Sequence, residues 1–289
     1  WPRLKRRRHR QRSRLRPALH WTTSSMTKTA LVDLDGMIYA CGAIAETVYY
    51  TVDGVRFDFK SQANAHCDET GISRDEIEKG VHAEPVSHAI NALKLTVDAA
   101  VREAECDEQE IYLSPTGKAN FRFDIYPDYK ANRKNAHKPV HYQALRDFAV
   151  KHMGAVIADN VEADDMLTIR ANELGIDRWV MITNDKDLQQ TPGRHYDWKK
   201  KSLHTVSRKD AMVCLYTQVL TGDSIDNIKG CPGIGPAKAR EALKDCETDV
   251  DMLNACKAAY LKAFDDDEAE AMKELKLNIR LVRMLQERP

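Results

Sequence analysis

The stretch A-V-I-A-D-N-V-E-A-D-D-M-L-T-I-R-A-N-E-L-G-I-D-R-W-V-M-I-T-N-D-K-D-L (155–188) decides the fold class of this chain. Its apolar runs at 155–158 and 179–183 have the length of buried strands, and the segment 163–174 between them predicts a helix. A strand, a helix and another strand in succession indicate two parallel strands joined by a crossover. The stretch therefore predicts an α/β fold.

The same alternation extends outward on both sides. Upstream, T-A-L-V-D-L-D-G (29–36) predicts a buried strand that ends in a turn, and the chain is predicted to be helical from Arg208 onward. Further strands are predicted at 110–113, 194–197 and 202–206, and further helices at 85–105 and 140–152. We therefore predict a mostly parallel central sheet wrapped by helices at 26–207, followed by a helical C-terminal lobe at 208–289.

Two segments after the first strand interrupt this alternation. Asp53-Gly54 lies between β-forming residues at 48–59 and predicts a hairpin, to which the sequence assigns no role. Residues 61–80 are polar and predict a loop.

The net charge of zero hides a strongly basic start. Residues 1–25 carry nine Lys or Arg and no acid, which leaves 35 basic and 44 acidic residues, a net charge of −9, in the remainder. The tail is either a nucleic-acid-binding arm or a non-native extension translated ahead of Met26, and in both cases we expect it to be disordered. Seven scattered cysteines indicate reduced thiols, and no apolar run is long enough to span a bilayer, so we expect a cytoplasmic protein without membrane contact.

Acidic residues follow the predicted strands in short clusters. In addition to Asp35 after the first strand, these residues are Glu162, Asp164, Asp165, Asp185, Asp187, Asp223 and Asp226. Any single pair is better explained by helix capping. Several clusters at the carboxyl ends of parallel strands, however, meet at one edge of the sheet. Carboxylates held together need a cation such as Mg²⁺ or Mn²⁺, so the sequence predicts a metal site at this edge.

A glycine-rich turn follows the last acidic pair, in G-C-P-G-I-G-P-A-K-A (230–239). Gly233 and Gly235 permit a tight turn and close backbone approach, and Ala239 lets a following helix pack. The turn predicts a helix–hairpin–helix whose backbone N–H groups and Lys238 meet a phosphate, although an isolated turn of this kind also simply packs two helices.

Residues 115–142 are rich in cations and aromatic side chains. They include Lys118, Phe121, Arg122, Phe123, Tyr126, Tyr129, Lys130, Arg133, Lys134, Lys138 and His141. Cations offer phosphate contacts and aromatic rings stack on unpaired bases. The alternative is a solvated loop whose aromatic residues pack into the core, and the residues alone favour neither interpretation.

Five motifs in a fixed order resemble the 5′-nuclease superfamily of flap endonucleases and phage-type 5′–3′ exonucleases. They are L-V-D-L-D-G (31–36), F-R-F-D-I-Y-P-D-Y-K-A-N-R-K (121–134), V-E-A-D-D (161–165), I-T-N-D-K-D-L (182–188) and G-D-S-I-D-N-I-K-G-C-P-G-I-G-P-A-K-A (222–239). The resemblance implies a PIN-like nuclease core in which residues 114–140 form an arch over the site. It also implies hydrolysis of DNA near 5′ ends, in phage replication or repair.

The resemblance also implies roles for individual residues. Asp35, Glu162, Asp164 and Asp165 would hold a first metal ion, and Asp185, Asp187, Asp223 and Asp226 a second. Lys130 and Arg133 would contact the scissile phosphate, and Tyr129 would stack on a terminal base. DNA would also be contacted by Arg122, Lys134, Gly233, Gly235 and Lys238, with K⁺ often bound at the turn.

One motif position departs from the family. Ser114 stands where the family usually has an Asp, which leaves the first metal site one carboxylate short. This departure keeps a non-catalytic DNA-binding protein open as an alternative. A PIN-like ribonuclease is a second alternative, because that class shares the acid site. The expected partner is duplex DNA with a 5′ end, flap or nick. RNA–DNA hybrids and a separate polymerase are further partners that the resemblance allows.

Overall fold

The computed structural model describes residues 27–135 and 137–288, with the backbone only at Lys134 and Asn135. The basic tail at 1–25 lies outside the described residues. The strands are β1 (Thr29–Asp33), β2 (Glu46–Val52), β3 (Val55–Phe57), β4 (Glu78–Ala83), β5 (Glu108–Leu113), β6 (Val156–Ile157), β7 (Trp179–Ile182), β8 (Gly193–Asp197) and β9 (Ser202–Val206). The helices are α1 (Asp35–Ile44), α2 (Lys60–Thr70), α3 (Val86–Glu103), α4 (Phe121–Ile125), α5 (Tyr142–His152), α6 (Ala163–Leu174), α7 (Arg208–Thr221), α8 (Pro236–Leu243), α9 (Asp249–Ala263) and α10 (Glu268–Val282).

The central sheet has six strands in the order β6-β5-β1-β7-β8-β9. All neighbouring strands are parallel except β9, which returns antiparallel to β8. Every residue of β1 is buried, as expected for a central parallel strand with helices on both faces. The predicted mostly parallel α/β fold is confirmed.

Side chains of β1 alternate between two apolar layers. Val32 packs with Leu93 of α3 and Leu145 of α5 on one face, whereas Leu31 packs with Leu167 of α6 on the other. This two-sided burial fixes the sheet in the middle of the core. The carboxyl ends of β1, β5 and β7 are therefore brought to one edge, which lies beyond the last apolar residue of each strand.

A small second sheet interrupts the chain between α1 and α3. Its strands run in the order β3-β2-β4, all antiparallel, and α2 covers one face through Ala63 and Cys67. The hairpin predicted at 48–59 is confirmed, with Asp53 and Gly54 at its turn. We call residues 46–83 the inserted subdomain.

The predicted loop at 61–80 is wrong, because these residues form α2 and the start of β4. Helix α2 buries only two small residues, Ala63 and Cys67, so its sequence has almost no apolar periodicity. Strand β4 is stabilised by its pairing with β2 rather than by β-forming residues. Gly80 is needed there, since a Cβ at this position would lie 2.2 Å from the ring of Tyr49.

The C-terminal helices α7 to α10 enclose a separate apolar core. Tyr260 is fully buried in it and donates a 2.8 Å hydrogen bond to the carbonyl of Val219. Phe123, Tyr126 and Tyr129 of the predicted arch pack against this core. Of the two interpretations left open for the arch aromatics, packing into a core therefore holds for these three. Among the described helices, none is long and apolar enough to cross a membrane.

Candidate metal centre

Three aspartates from separate segments meet at the carboxyl edge of the sheet. Asp33 ends β1, Asp164 lies in the first turn of α6, and Asp185 follows β7. Burial, together with the charges of Asp35 and Asp185, raises the pKa of Asp33 to about 7. Burial, then Asp33 and Asp185, also raises the pKa of Asp164 well above its ordinary value. The edge thus holds mutually repelling carboxylates.

Asp33 is the residue of this group that the sequence did not single out. The prediction extended the first strand to Asp35, but β1 ends at Asp33 and α1 begins at Asp35. Asp33 Oδ2 accepts a 2.8 Å hydrogen bond from Thr183 after β7, which draws the two strand ends together. The sequence feature that could have identified Asp33 is its position as the only acid in, and the last residue of, the β1 strand.

Asp35 is held by two groups on its own side of the edge. Its carboxylate forms an ion pair with Arg146 of α5 at 3.1 Å and accepts the Ser114 N–H at 2.9 Å. The backbone carbonyl of Ser114 also accepts a 2.6 Å hydrogen bond from the Arg146 guanidinium. Its hydroxyl accepts the N–H of Ala163 at 3.1 Å, so this side chain satisfies an otherwise free donor at the start of α6.

A second group of acids lies where the C-terminal lobe meets the sheet. Burial, then the charges of Asp185 and Asp223, raises the pKa of Asp187 to about 7, and Asp226 adds to this effect. Asp223 and Asp226 do not share a helical turn as predicted. They lie in a turn closed by two hydrogen bonds between the backbones of Asp223 and Ile228.

Asp165 differs from the other predicted ligands because it is fully neutralised. It is completely buried and pairs with both terminal nitrogens of Arg122, at 2.6 and 2.9 Å. The N–H groups of Glu162 and Leu285 donate to it at 3.1 and 3.0 Å. Four donors fill the lone pairs of one carboxylate. In this structure Asp165 thus has no lone pair free for a metal ion, and its role as a ligand stays a prediction.

Arg122 is likewise not available to DNA in this structure. Its side chain is 2% exposed. Besides pairing with Asp165, it donates to the carbonyls of Leu281 at 2.8 Å and Arg283 at 3.2 Å. In this structure the guanidinium joins the arch to α6 and to the end of α10, and the predicted Arg122–DNA contact stays a prediction.

Tyr129 is also buried, with 2% of its surface exposed. Its hydroxyl lies 2.9 Å from Glu162 Oε2 and 2.9 Å from Asp226 Oδ2, and it donates to one of these carboxylates at a time. Burial, then the charges of Glu162 and Asp226, raises the pKa of Tyr129. The ring has no exposed face in this structure, and its stacking on a terminal base stays a prediction.

An aromatic pair that the sequence did not single out lies beside the site. The rings of Tyr39 in α1 and Tyr142 in α5 have centroids 5.0 Å apart, and Tyr39 is 37% exposed. Burial, then Tyr142 and Asp35, raises the pKa of Tyr39, which reflects its position next to the acids. The two tyrosines lie 103 positions apart in sequence, so only the fold reveals the pair.

The two predicted arch cations contact the acids directly. Lys130 forms ion pairs with Glu162 and, at 3.6 Å, with Asp226, and Arg133 pairs with Asp226. Burial alone would raise the pKa of Glu162, but Lys130 and Arg122 outweigh it and lower the pKa. The side chain of Lys134, predicted to contact DNA, lies outside the described residues.

The charges at this edge do not balance. Nine carboxylates gather there. Among the described side chains, which do not include that of Lys134, four basic ones form ion pairs with them, namely Arg122, Lys130, Arg133 and Arg146, so acids are in excess by five. Within residues 27–135 and 137–288, no three acids, histidines or cysteines already stand at the spacing of one ion's ligand shell. Oxygen donors of this kind suit Mg²⁺ or Mn²⁺, whose positive charge would offset the excess.

The glycine turn predicted to meet a phosphate lies between α7 and α8. Space is open around Gly233 and Gly235, where an added Cβ would contact nothing within 4 Å. Lys238 Nζ donates to the Gly233 carbonyl at 2.9 Å. The close backbone approach occurs instead between the segments that contain Gly222 and Gly230. An added Cβ on either glycine would lie 2.2 Å from a backbone atom of the opposite segment. Ala239 is fully buried between the helices, as predicted.

Comparison with known proteins gives a consistent set of matches. A family model described as the 5′-3′ exonuclease, N-terminal resolvase-like domain, matches residues 50–215, more than half of the chain. DNA polymerase I of Rhizobium leguminosarum is 34% identical over 145 residues, which cover 43% of this chain and 14% of that protein. The exodeoxyribonuclease of Enterobacteria phage T3 is 30% identical over 132 residues, which cover 43% of this chain and 44% of that protein.

Among solved structures, the bacteriophage T5 flap endonuclease in a pseudo-enzyme-product complex with DNA and metal ions has the same fold. The two chains are 16% identical, with a TM-score of 0.55 over 88% of this chain and 89% of the other. The matched region spans less than half the length of either curated relative given above.

Proposed function

Because this chain belongs to the family of 5′-3′ exonuclease N-terminal, resolvase-like domains, we propose that it is a divalent-metal-dependent 5′–3′ exonuclease and flap endonuclease acting on DNA. The observation that carries this proposal is the uncompensated acid cluster at the carboxyl edge of the sheet. The relative from phage T3 is an exodeoxyribonuclease, and the T5 relative is a flap endonuclease complexed with DNA and metal ions. Both activities are therefore part of the proposal.

The acids divide into two groups that would each hold a divalent ion. Asp33, Asp164 and Asp185 form the first group, and Asp187, Asp223 and Asp226 the second, with Glu162 and Asp35 at the margin of the first. Ions held by these two groups would lower the pKa of water to supply hydroxide and would stabilise the leaving oxygen. We propose Mg²⁺ or Mn²⁺ as the bound ion, because both fit a donor set made only of oxygen atoms.

Lys130 and Arg133 have two roles in this proposal. Without metal they act as internal counter-ions of Glu162 and Asp226. If bound metal neutralised these acids, both side chains would be free to face the scissile phosphate, where positive charge stabilises the transition state. Their position on the arch directly above the acids supports this exchange.

Base stacking is assigned to Tyr39 and Tyr142 rather than to the buried Tyr129. The pair is partly exposed and lies next to Asp35, so a terminal base could stack on it while its phosphate lies over the acids. The open glycine turn at Gly233 and Gly235, with Lys238, would grip the duplex backbone. We also propose that this turn binds K⁺.

Specificity in this proposal is for DNA structure rather than sequence, because phosphate contacts carry no base information. The experiment that tests it compares blunt, nicked and 5′-flapped duplexes, labelled at the 5′ strand, with Mg²⁺ or Mn²⁺. We expect cleavage near the 5′ end, and we expect Asp185→Ala to abolish cleavage while DNA binding persists.

Each alternative function has its own outcome in the same experiment. Binding without cleavage at any Mg²⁺ or Mn²⁺ concentration would favour a non-catalytic DNA-binding protein. Cleavage of matched RNA with DNA left intact would favour a ribonuclease. Replacing K⁺ by Na⁺ should weaken duplex binding if the turn binds K⁺.

A further inference from the structure

Glu46, the first residue of β2, is a charged side chain in a buried position. Its side chain is only 4% exposed, although it lies at the edge of the inserted subdomain. A buried carboxylate needs compensating donors, because its charge loses the hydration it has in water. Among the described residues, the groups that contact this carboxylate come from the C-terminal end of the arch.

Two groups of the arch bind this carboxylate. Glu46 Oε2 accepts the N–H of Val140 at 2.8 Å, and Oε1 contacts Nε2 of His137. His137 and Val140 flank the C-terminal end of the arch, just before α5 begins at Tyr142. One side chain therefore holds this end of the arch at two points.

Neighbouring contacts hold the same end in place. Pro139 packs against Gly42 of α1 so closely that an added Cβ on Gly42 would lie 2.7 Å from the proline ring. His141 Nε2 lies 2.6 Å from the carbonyl of Glu84, the residue after β4. Since Glu46 pairs with Ala83 in the small sheet, these contacts all fall where the chain enters and leaves the inserted subdomain.

The other side of the arch carries the two cations of the candidate metal centre. Lys130 donates its backbone N–H to the carbonyl of Asp226 at 2.9 Å, and Arg133 donates to the carbonyl of Ile225 at 3.2 Å. Only three residues separate Arg133 from His137. The Glu46 end of the arch and the two cations are therefore close neighbours along the chain.

We propose that the inserted subdomain anchors the arch and that Glu46 is the positioning residue of this anchor. The described hydrogen-bond partners of the Glu46 side chain are His137 and Val140, not the acids of the candidate metal centre. Glu46 sets where Lys130 and Arg133 stand, and its effect on cleavage rests on the proposed nuclease function. This assigns a role to the hairpin at 48–59, which stabilises the strand that carries Glu46.

The test compares Glu46→Ala with Glu78→Ala, an exposed carboxylate at the other end of the same small sheet. Hydrogen–deuterium exchange without DNA should increase in residues 128–141 for Glu46→Ala and stay unchanged for Glu78→Ala. His137→Ala, which removes a half-exposed partner, should give a smaller increase and serves if Glu46→Ala folds poorly. Glu46→Gln, which still accepts the Val140 N–H, should be intermediate. Unchanged exchange at 128–141 in Glu46→Ala would overturn the proposal whether or not the protein cleaves DNA.

A second measurement separates positioning from general destabilisation. Single-turnover cleavage of a 5′-flap should fall roughly tenfold in Glu46→Ala, while the affinity for a duplex without a 5′ flap changes less than about twofold. In a Lys130→Ala/Arg133→Ala background, Glu46→Ala should have no further effect on cleavage. An undiminished, additive loss there would contradict an action through these cations. If the unaltered protein cleaves no DNA, the proposed nuclease function is wrong. The hydrogen–deuterium exchange result still tests whether Glu46 anchors the arch.

Discussion

Asp164 and Asp165 are adjacent in the chain but lie in opposite electrostatic surroundings. Asp165 is paired with Arg122 through two hydrogen bonds and accepts two further N–H groups. Asp164 faces the charges of Asp33, Asp185 and Glu162 with only Lys130 opposing them. Successive residues of a helix point about 100° apart, so α6 turns one carboxylate to its structural partner and the other to the acid cluster.

The first prediction is that these two neighbours respond oppositely to the same substitution. Without metal, Asp165→Asn should lower the free energy of unfolding by about 3 kcal/mol, because it leaves Arg122 buried without its counter-ion. Asp164→Asn should raise it, because it removes a repelled charge. Urea denaturation in EDTA at pH 8 measures both values. Equal destabilisation by the two substitutions would contradict the division between structural and metal-binding acids.

The fold was largely predictable because it depends on local apolar runs. Strands such as β1 and β7 are buried on both faces, so their sequences are continuously apolar and easy to recognise. The inserted subdomain was only half predicted. Its hairpin has an Asp-Gly turn, whereas α2 and β4 depend on contacts with β2 that no local pattern records.

The site was predictable in its chemistry but not in its division of roles. Acids after strands indicated a metal site, and these acids do gather at one edge. The ion pair between Arg122 and Asp165 spans 43 positions, and no spacing rule reveals it. The burial of Tyr129 depends on packing against the C-terminal core, which likewise follows only from the fold. Asp33 was missed because the strand ends two residues earlier than its sequence suggested.

The second prediction concerns the arch cations as internal counter-ions. Lys130→Ala should bind Mn²⁺ roughly fivefold more tightly in the absence of DNA, since a partly buried ion pair worth about 1 kcal/mol no longer competes for Glu162. Cleavage should nevertheless fall, because the same cation faces the phosphate. Titration calorimetry with Mn²⁺ checks the affinity, with Lys118→Ala in the same arch as the control. Weaker or unchanged Mn²⁺ binding would exclude the counter-ion role.

The third prediction concerns Ser114, which stands where the family usually has an acid. Ser114→Ala should cost about 1 kcal/mol of stability, because the N–H of Ala163 at the start of α6 loses its acceptor. Ser114→Asp should keep that acceptor and add a carboxylate near Asp35. It should therefore bind Mn²⁺ more tightly and be less stable in EDTA. A thermal melt with and without Mn²⁺ distinguishes the two variants, and an unchanged response to Mn²⁺ in Ser114→Asp would show that this position lies outside the metal centre.

The fourth prediction is a loss of stability in mild acid that arises from His195 rather than from the acid cluster. His195 in β8 is 1% exposed, and its Nε2 donates to the Thr191 carbonyl at 2.8 Å. Burial lowers the pKa of His195 to about 4. The unfolded chain, with a histidine pKa near 6.5, therefore takes up a proton between about pH 6.5 and 4 that the folded protein does not. The stability contributed by neutral His195 is complete above pH 6.5 and falls by up to about 3 kcal/mol as the pH drops toward 4.

His195→Gln isolates this effect, because glutamine retains a donor for the Thr191 carbonyl but does not titrate. In urea denaturation between pH 7.5 and 4.5, the variant should be less stable than the unaltered protein at pH 7.5, and the difference should shrink or reverse by pH 4.5. His204→Gln is the matched control, since His204 stacks on His195 at 5.7 Å between ring centroids but is exposed to solvent. Parallel pH profiles for His195→Gln and the unaltered protein would mean that the acid sensitivity arises elsewhere.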